Sequence, residues 1–535
     1  MFPIHRLVAQ DPAPGAGFDL ADLSIGLLGG AVIVIIAVAA VRWSVRSGLP
    51  TLLLYLGIGL ALGSSGLGVK WDNTQLTMVL GYAALVLILI EGGLTTSWSS
   101  LRPAVAPAAV LSTVGVLVSV AVVAVAGHLI LGWPWQQAAL VGAILSSTDA
   151  AAVFSVLRKV PLPGSVTGVL EAESGFNDAP VVILVTTLAL ALSPGRVTPV
   201  WWLLALKAIL ELAGGALVGL AVGWLGGRLL PRIATGSSTL FAIGVMATAV
   251  LAYAAADEVH ASGFIACYLA SVVLANSGLP HRPAVVGFST ALGWLAQIGL
   301  FVLLGLLASP PGFPAQLVPA LVIGGVLLLL ARPLSVLASV LPFRVPLRAQ
   351  AFMSWAGLRG AVPIVLATVP LNVRTPGVPW IFDLVFVLVV VFTLIQAPTL
   401  PWVARYLGLR SEHHQLDLVV DATPLEELGA DMLQVTVGPE SRLGGVTIGE
   451  LRLPASANIA LIVRDKTSVV PGERTRLRHG DQLIIICPAK VREATEKRLY
   501  RVSQEGRLAG WIRTSQPPVG RNEPRRPPNE PRRIL

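Results

Sequence analysis

Long apolar runs separated by short polar stretches recur from residue 22 to about residue 405. A helix needs about 20 apolar residues to cross a hydrocarbon core of about 30 Å. The runs of that kind lie at 22–41, 50–67, 75–94, 104–131, 135–157, 165–193, 202–228, 238–256, 261–278, 284–308, 314–338, 350–370 and 380–404. They predict a polytopic α-helical membrane protein with about 13 transmembrane helices. No apolar run precedes Leu23, so the first span is expected to act as its own insertion signal, leaving residues 1–21 as an extracytoplasmic segment.

After residue 405 the pattern changes. Leu433–Val437, Ile459–Val463 and Gln482–Cys487 are short apolar segments separated by Gly444-Gly445, Pro471-Gly472 and His479-Gly480-Asp481, which reads as strands joined by turns. Gly449–Leu453 and Val491–Leu499 read as short helices, giving a small α+β domain over residues 415–498. Residues 514–535 are rich in Pro and Arg and cannot bury a core, so a disordered tail is expected.

Composition agrees with this division. The chain is 54% hydrophobic and 13% charged, against about 25% charged in soluble domains, which excludes a soluble enzyme, a disordered chain and a disulfide scaffold. Residues 1–404 hold 17 Lys+Arg and 13 Asp+Glu, whereas residues 405–535 hold 21 and 16. With the N-terminus outside, Arg42, Arg46, Arg102, Arg158, Lys159, Arg228, Arg232, Arg282, Arg332, Arg344, Arg348, Arg405 and Arg410 fall in cytoplasmic loops. Only Arg6, Lys70, Arg196 and Arg374 fall outside, which places a multi-pass protein in the cell membrane with the C-terminal domain in the cytoplasm. The basic excess fits orientation and contact with anionic lipid, and no nucleic-acid partner is implied. Cys267 and Cys487 lie in different parts of the chain and read as small apolar fillers.

Charges at membrane depth are expensive and mark functional candidates. One span contains Ser146-Ser147-Thr148-Asp149-Ala150, where small polar residues compete for backbone groups and favour a broken helix with free carbonyls. The next contains Glu171-Ala172-Glu173-Ser174-Gly175-Phe176-Asn177-Asp178, with Ser174 and Asp178, and Glu173 and Asn177, four apart on shared helix faces. Carboxylate, hydroxyl and amide oxygens at one depth suit a hard monovalent cation. A third span, Ser354-Trp355-Ala356-Gly357-Leu358-Arg359-Gly360-Ala361-Val362-Pro363, is interrupted by Gly357, Gly360 and Pro363. Arg359 there needs a buried anion, and Glu173 is the expected partner. Two interrupted segments in separate halves of a chain point to a transporter built from inverted repeats. Glu91, Lys207, Glu211 and Asp383 read as structural, and His128, His260 and His281 as loop residues.

At Thr148-Asp149, Glu173-Ser174-x-x-Asn177-Asp178 and Gly357-Leu358-Arg359-Gly360 the chain resembles the monovalent cation:proton antiporters, the Na⁺/H⁺ and K⁺/H⁺ exchangers, in their Asn-Asp subgroup. The resemblance implies a homodimer with a thirteen-helix inverted-repeat fold and two broken helices. It implies an ion and proton site of Asp178, Asp149, Thr148, Ser174 and Asn177, with Glu171 and Ser147 as accessory groups and Glu173–Arg359 as a structural ion pair. Ala150 and Ala172 stand where that family often has Pro and Gly. Residues 434–491, through Leu443-Gly444-Gly445-Val446-Thr447-Ile448-Gly449-Glu450-Leu451 and Gly480-Asp481-Gln482-Leu483, resemble the TrkA-C regulatory domain. That resemblance implies dimerisation and a small regulatory ligand such as the nucleotide cyclic di-AMP, and by association it favours K⁺ over Na⁺.

The expected activity is secondary-active exchange by alternating access, with a proton and a cation competing for Asp178. Exchange is electroneutral if Asp178 is the only carrier. Na⁺/H⁺ antiport on the same fold is the alternative, and a ligand-gated cation channel is a further one. No cofactor, and no metal beyond the transported alkali cation, is implied, and no enzyme motif is present.

Overall fold

The structure is a computed structural model and describes residues 20–47, 49–149, 162–192, 201–233, 237–373, 375, 377–409, 420–425, 430–464 and 467–508. Most of the expected N-terminal segment, the tail 514–535, and Arg158, Lys159, Arg196, Arg374 and Arg410 lie outside these residues. The chain divides into two units, Met1–Glu412 and His413–Leu535.

The first unit is helical. Its elements are α1 (Leu20–Ser47), α2 (Thr51–Leu62), α3 (Thr74–Thr95), α4 (Val105–Leu131), α5 (Trp135–Ser146), α6 (Gly164–Ala191), α7 (Trp201–Ile233), α8 (Ser238–Glu258), α9 (Gly263–Ala275), α10 (Arg282–Leu307), α11 (Pro310–Phe343), α12 (Leu347–Trp355), α13 (Ala361–Asn372) and α14 (Trp380–Tyr406). Among the described residues nine helices are long and apolar enough to cross a membrane, and each of the other four expected spans holds shorter helix. Local chemistry sets several boundaries: the side chains of Asn73 and Ser237 accept the backbone N–H of Leu76 and Leu240 at the starts of α3 and α8. Gly132, at φ 69°, closes α4 in the left-handed conformation. His128 belongs to the last turn of α4, contrary to the loop expected, and stacks on Trp135.

Three irregularities place the site. The chain leaves helical geometry after Ser146, with Ser147 extended at φ −65°, ψ 140°; residues 150–161, which hold the rest of the expected first broken helix, lie outside the described residues. A second break, residues 357–360, separates α12 from α13. Single π-helical turns interrupt α4 at Leu111–Gly115 and α11 at Leu327–Ala331, and such turns shift the register of the side chains that follow.

The second unit is an antiparallel sheet of β1 (Val420–Leu425), β2 (Ala430–Thr436), β3 (Asn458–Arg464), β4 (Thr467–Val469) and β5 (Gln482–Pro488), in the order β1-β2-β5-β3-β4. Helices α15 (Ile448–Leu451) and α16 (Arg492–Glu505) accompany it. Alternate residues Leu433 and Val435 on β2, and Leu483, Ile485 and Cys487 on β5, face one core with Leu499 and Val502 of α16. The edge strands β1 and β4 are additions to the three strands expected. β4 is fully exposed along its length, so no apolar alternation announces it.

Asp481 is wholly buried at the entry to β5. Arg464 holds it with two hydrogen bonds of 2.7 Å and the Arg478 backbone N–H donates a third at 2.8 Å. Burial alone would raise this carboxyl, but the bonds and charges of Arg464 and Arg478 outweigh it and hold the group below the ordinary carboxylate range. A depressed folded-state value contributes stability above the unfolded value of about 3.9 and loses it as pH falls through the folded value. Thermal melts of residues 413–535 are therefore expected to show Asp481→Asn destabilised near neutral pH, with the gap from wild type closing as the medium is acidified. A gap constant with pH would exclude this account.

Candidate ion-exchange site

The face of α6 that carries Glu173, Ser174, Asn177 and Asp178 is buried, with exposures of 1–5%. Opposite it stands the unwound end of α5. Ser147 Oγ donates to Asp178 Oδ1 at 2.7 Å. Asn177 Nδ2 donates to Thr148 Oγ1 at 2.6 Å, and Thr148 Oγ1 lies 3.2 Å from Ser174 Oγ. Thr148 Oγ1 also reaches Glu173 Oε1 at 3.4 Å. Asn177 Oδ1 is buried with no protein donor among the described residues, which leaves an acceptor oxygen beside the hydroxyls.

The two breaks meet here. The Asp149 N–H donates to the Leu358 carbonyl at 3.0 Å, and the Ala361 N–H donates to Asp149 Oδ2 at 3.3 Å. Asp149 thus caps the start of α13 with its carboxylate, where the helix dipole and free N–H groups favour negative charge. Gly360 makes room for it: a Cβ there would collide with the Asp149 carboxylate. We therefore expect Gly360→Ala to cut cation/proton exchange by at least about tenfold, the scale of one displaced hydrogen bond to a charged group. Vesicle assays on normalised protein measure this, and wild-type rates would show that Asp149 is not held by that gap.

The expected Glu173–Arg359 pair is not the one formed. Glu173 makes a bidentate pair with Arg332, at 2.5 and 2.7 Å, with both side chains buried. Arg332 directly follows the π turn of α11 and is 4% exposed, which also removes it from the cytoplasmic loops. Arg359, on the non-helical stretch, instead donates through Nη1 to the Ser147 carbonyl at 3.0 Å. The physical reason is the break in α5: unwinding frees carbonyls that a neighbouring guanidinium satisfies. Arg332, expected in a cytoplasmic loop, lies six residues inside the run 314–338, and the cost of a charge at that depth is the signal that marks it. Glu171, half-buried, makes none of these bonds.

Taken together, Ser147, Thr148, Asp149, Glu173, Ser174, Asn177, Asp178, Arg332 and Arg359 converge on the crossing of two unwound segments, and Glu171 stands apart. Three carboxylates face two guanidinium groups in this buried cluster. Oxygen ligands around carboxylates at a helix crossing define a secondary transporter of small cations. The chain belongs to the sodium/hydrogen exchanger family: its transmembrane domain matches residues 32–406. Residues 432–500 match the TrkA-C domain. The K(+)/H(+) antiporter NhaP of Alkalimonas amylolytica is 36% identical over 87% of this chain and 81% of its own length. The K(+)/H(+) antiporter NhaP2 of Shewanella baltica is 33% identical over 89% and 83%. The fold is similar to that of the sodium proton antiporter MjNhaP1 from Methanocaldococcus jannaschii, with a TM-score of 0.63 and 20% identity over 72% of this chain and 99% of that one. The family is one of multi-pass membrane transporters that exchange monovalent cations for protons.

Proposed function

We propose that this protein is a K⁺/H⁺ antiporter that exchanges one proton for one cation at Asp178. The observation that carries the stoichiometry is the charge of the buried cluster. With Glu173 matched by Arg332 and Arg359 offsetting one aspartate, a single negative charge remains. One proton or one alkali cation cancels it, and both together overcharge the site, so the two compete. Ser147, Thr148, Ser174, Asn177 and Asp149 supply oxygens that replace the water of the cation. The names of the full-length relatives favour K⁺. Reconstitution into vesicles with an imposed pH gradient, testing K⁺, Na⁺, Rb⁺ and Li⁺ in turn, examines this reading. Exchange driven by Na⁺ but not K⁺ would replace it by Na⁺/H⁺ antiport, and cation flux indifferent to the proton gradient by a channel.

The working unit in this reading is a homodimer in the cell membrane, with the N-terminus outside and the TrkA-C domain in the cytoplasm. That domain regulates exchange by binding a small ligand, cyclic di-AMP being the first nucleotide to test. A ligand acts only through unequal affinity for active and inactive states. Truncation after Glu412, where the first unit ends, is expected to leave cation/proton exchange intact with a changed pH or nucleotide dependence. Identical profiles across pH, with and without nucleotide, would remove the regulatory role.

A further inference from the structure

Arg332 and Arg359 each keep a donor that the ion site does not use. Both Nε atoms are buried and lack a protein acceptor among the described residues, a state that buried charged donors rarely tolerate. Both arginines line one small cavity together with Gly357, Ser354 and Gln396. Ser354 Oγ gives its proton to the Gln350 carbonyl at 2.8 Å and Gln396 Nε2 donates to the Trp355 carbonyl at 2.9 Å. Ser354 therefore retains only its hydroxyl lone pairs, whereas Gln396 retains Oε1 as an acceptor and one amide N–H.

The rest of the lining, Gly324, Leu327, Leu328, Leu388 and Phe392, is apolar, so the few polar groups of Arg332, Arg359, Ser354 and Gln396 select the occupant. A small anion would satisfy the arginines, but it would face the Ser354 lone pairs and add negative charge to a cluster that already has one in excess. A water molecule accepts two hydrogen bonds and donates two, and the cavity has room for about one. Gly357 is part of the fit. It does not adopt positive φ, so its backbone admits other residues, yet a Cβ there would stand 2.5 Å from Arg332 Nε.

We propose that this cavity is a binding site for a resident water that accepts from Arg332 Nε–H and Arg359 Nε–H and donates to Ser354 and Gln396. The water joins the two guanidinium groups into one hydrogen-bonded unit. One end holds Glu173, and the other holds the backbone carbonyl of Ser147, the residue whose side-chain hydroxyl donates to Asp178. The transport arm of the test rests on the antiport reading above, whereas the structural arm does not.

The experiment is high-resolution cryo-electron microscopy of the full chain in lipid nanodiscs, in chloride and in gluconate media, beside exchange assays in vesicles. Expected is solvent density within hydrogen-bonding distance of both Nε atoms in both media, and equal exchange rates in the two. Gly357→Ala is expected to displace that density and slow exchange by about tenfold. Gln396→Leu, which adds no bulk at Arg332, covers the case in which Gly357→Ala does not fold, and is expected to weaken the density and slow exchange in the same direction. Density or exchange that depends on chloride would make this an anion site and overturn the proposal. So would the lack of density there in a map that resolves other buried waters. Exchange unchanged in folded variants that have lost the density would overturn the linkage to Asp178.

Discussion

Replacing Asp178 by Asn is expected to reduce cation/proton exchange to the background of protein-free vesicles while leaving the fold intact. Asn keeps the volume of Asp and an acceptor oxygen for the 2.7 Å bond from Ser147, so the crossing of α6 with the unwound end of α5 has no steric reason to change. What is lost is the ability to release a proton and to present a negative charge. Without that charge the buried cluster is left neutral with no cation bound, and neither a proton nor a cation is held. The measurement is the recovery of an imposed pH gradient on addition of K⁺ or Na⁺, with a thermal melt as a folding control. Robust cation-dependent proton movement by a well-folded Asp178→Asn protein would move the exchange step elsewhere, with Asp149 the next carboxylate to test.

The second large effect concerns Glu173. Its bidentate pair with Arg332 is almost entirely screened from solvent, and removing one member of such a pair leaves an uncompensated charge at a cost of about 3–5 kcal/mol. Glu173→Gln and Arg332→Ala are each expected to lower thermal stability on that scale, and the double variant by clearly less than the sum. The same cycle with Arg359→Ala serves as the comparison, because Arg359 hydrogen-bonds the Ser147 carbonyl and not Glu173. A larger coupling energy for Arg332 than for Arg359, read from thermal unfolding in nanodiscs, is the expected result. Additive effects of Glu173→Gln and Arg332→Ala would mean that the pair does not persist in the membrane.

The pairing also shows where sequence reasoning stops. Glu173, Ser174, Asn177 and Asp178 are legible as a site because a helix places residues four apart on one face, whatever packs against it. Thr148 and Asp149 are legible because a run of small polar side chains at membrane depth weakens a helix. Glycines at 357 and 360 mark the second break for the same local reason. Arg359 stands out as a charge within an interrupted span and Arg332 reads as a loop residue, yet Arg332 meets Glu173 across 159 positions of chain. Helix periodicity carries no information about that separation.

By itself, then, the sequence determined those features that follow from local physics. Apolar run length set the positions of the membrane helices, polar clusters set the breaks, and charge asymmetry set the expected orientation. The alternation of Leu433 with Val435 and of Leu483 with Ile485 set the core strands of the C-terminal domain. The tertiary structure alone decided the partners. Arg332, directly after the π turn at Leu327–Ala331, is buried, and the missing side chain of Gly357 leaves it space. The unwinding after Ser146 gives Arg359 a carbonyl in place of a carboxylate. Buried charges take whichever partner the packing brings within hydrogen-bonding distance, and that distance is fixed only when separate helices pack together.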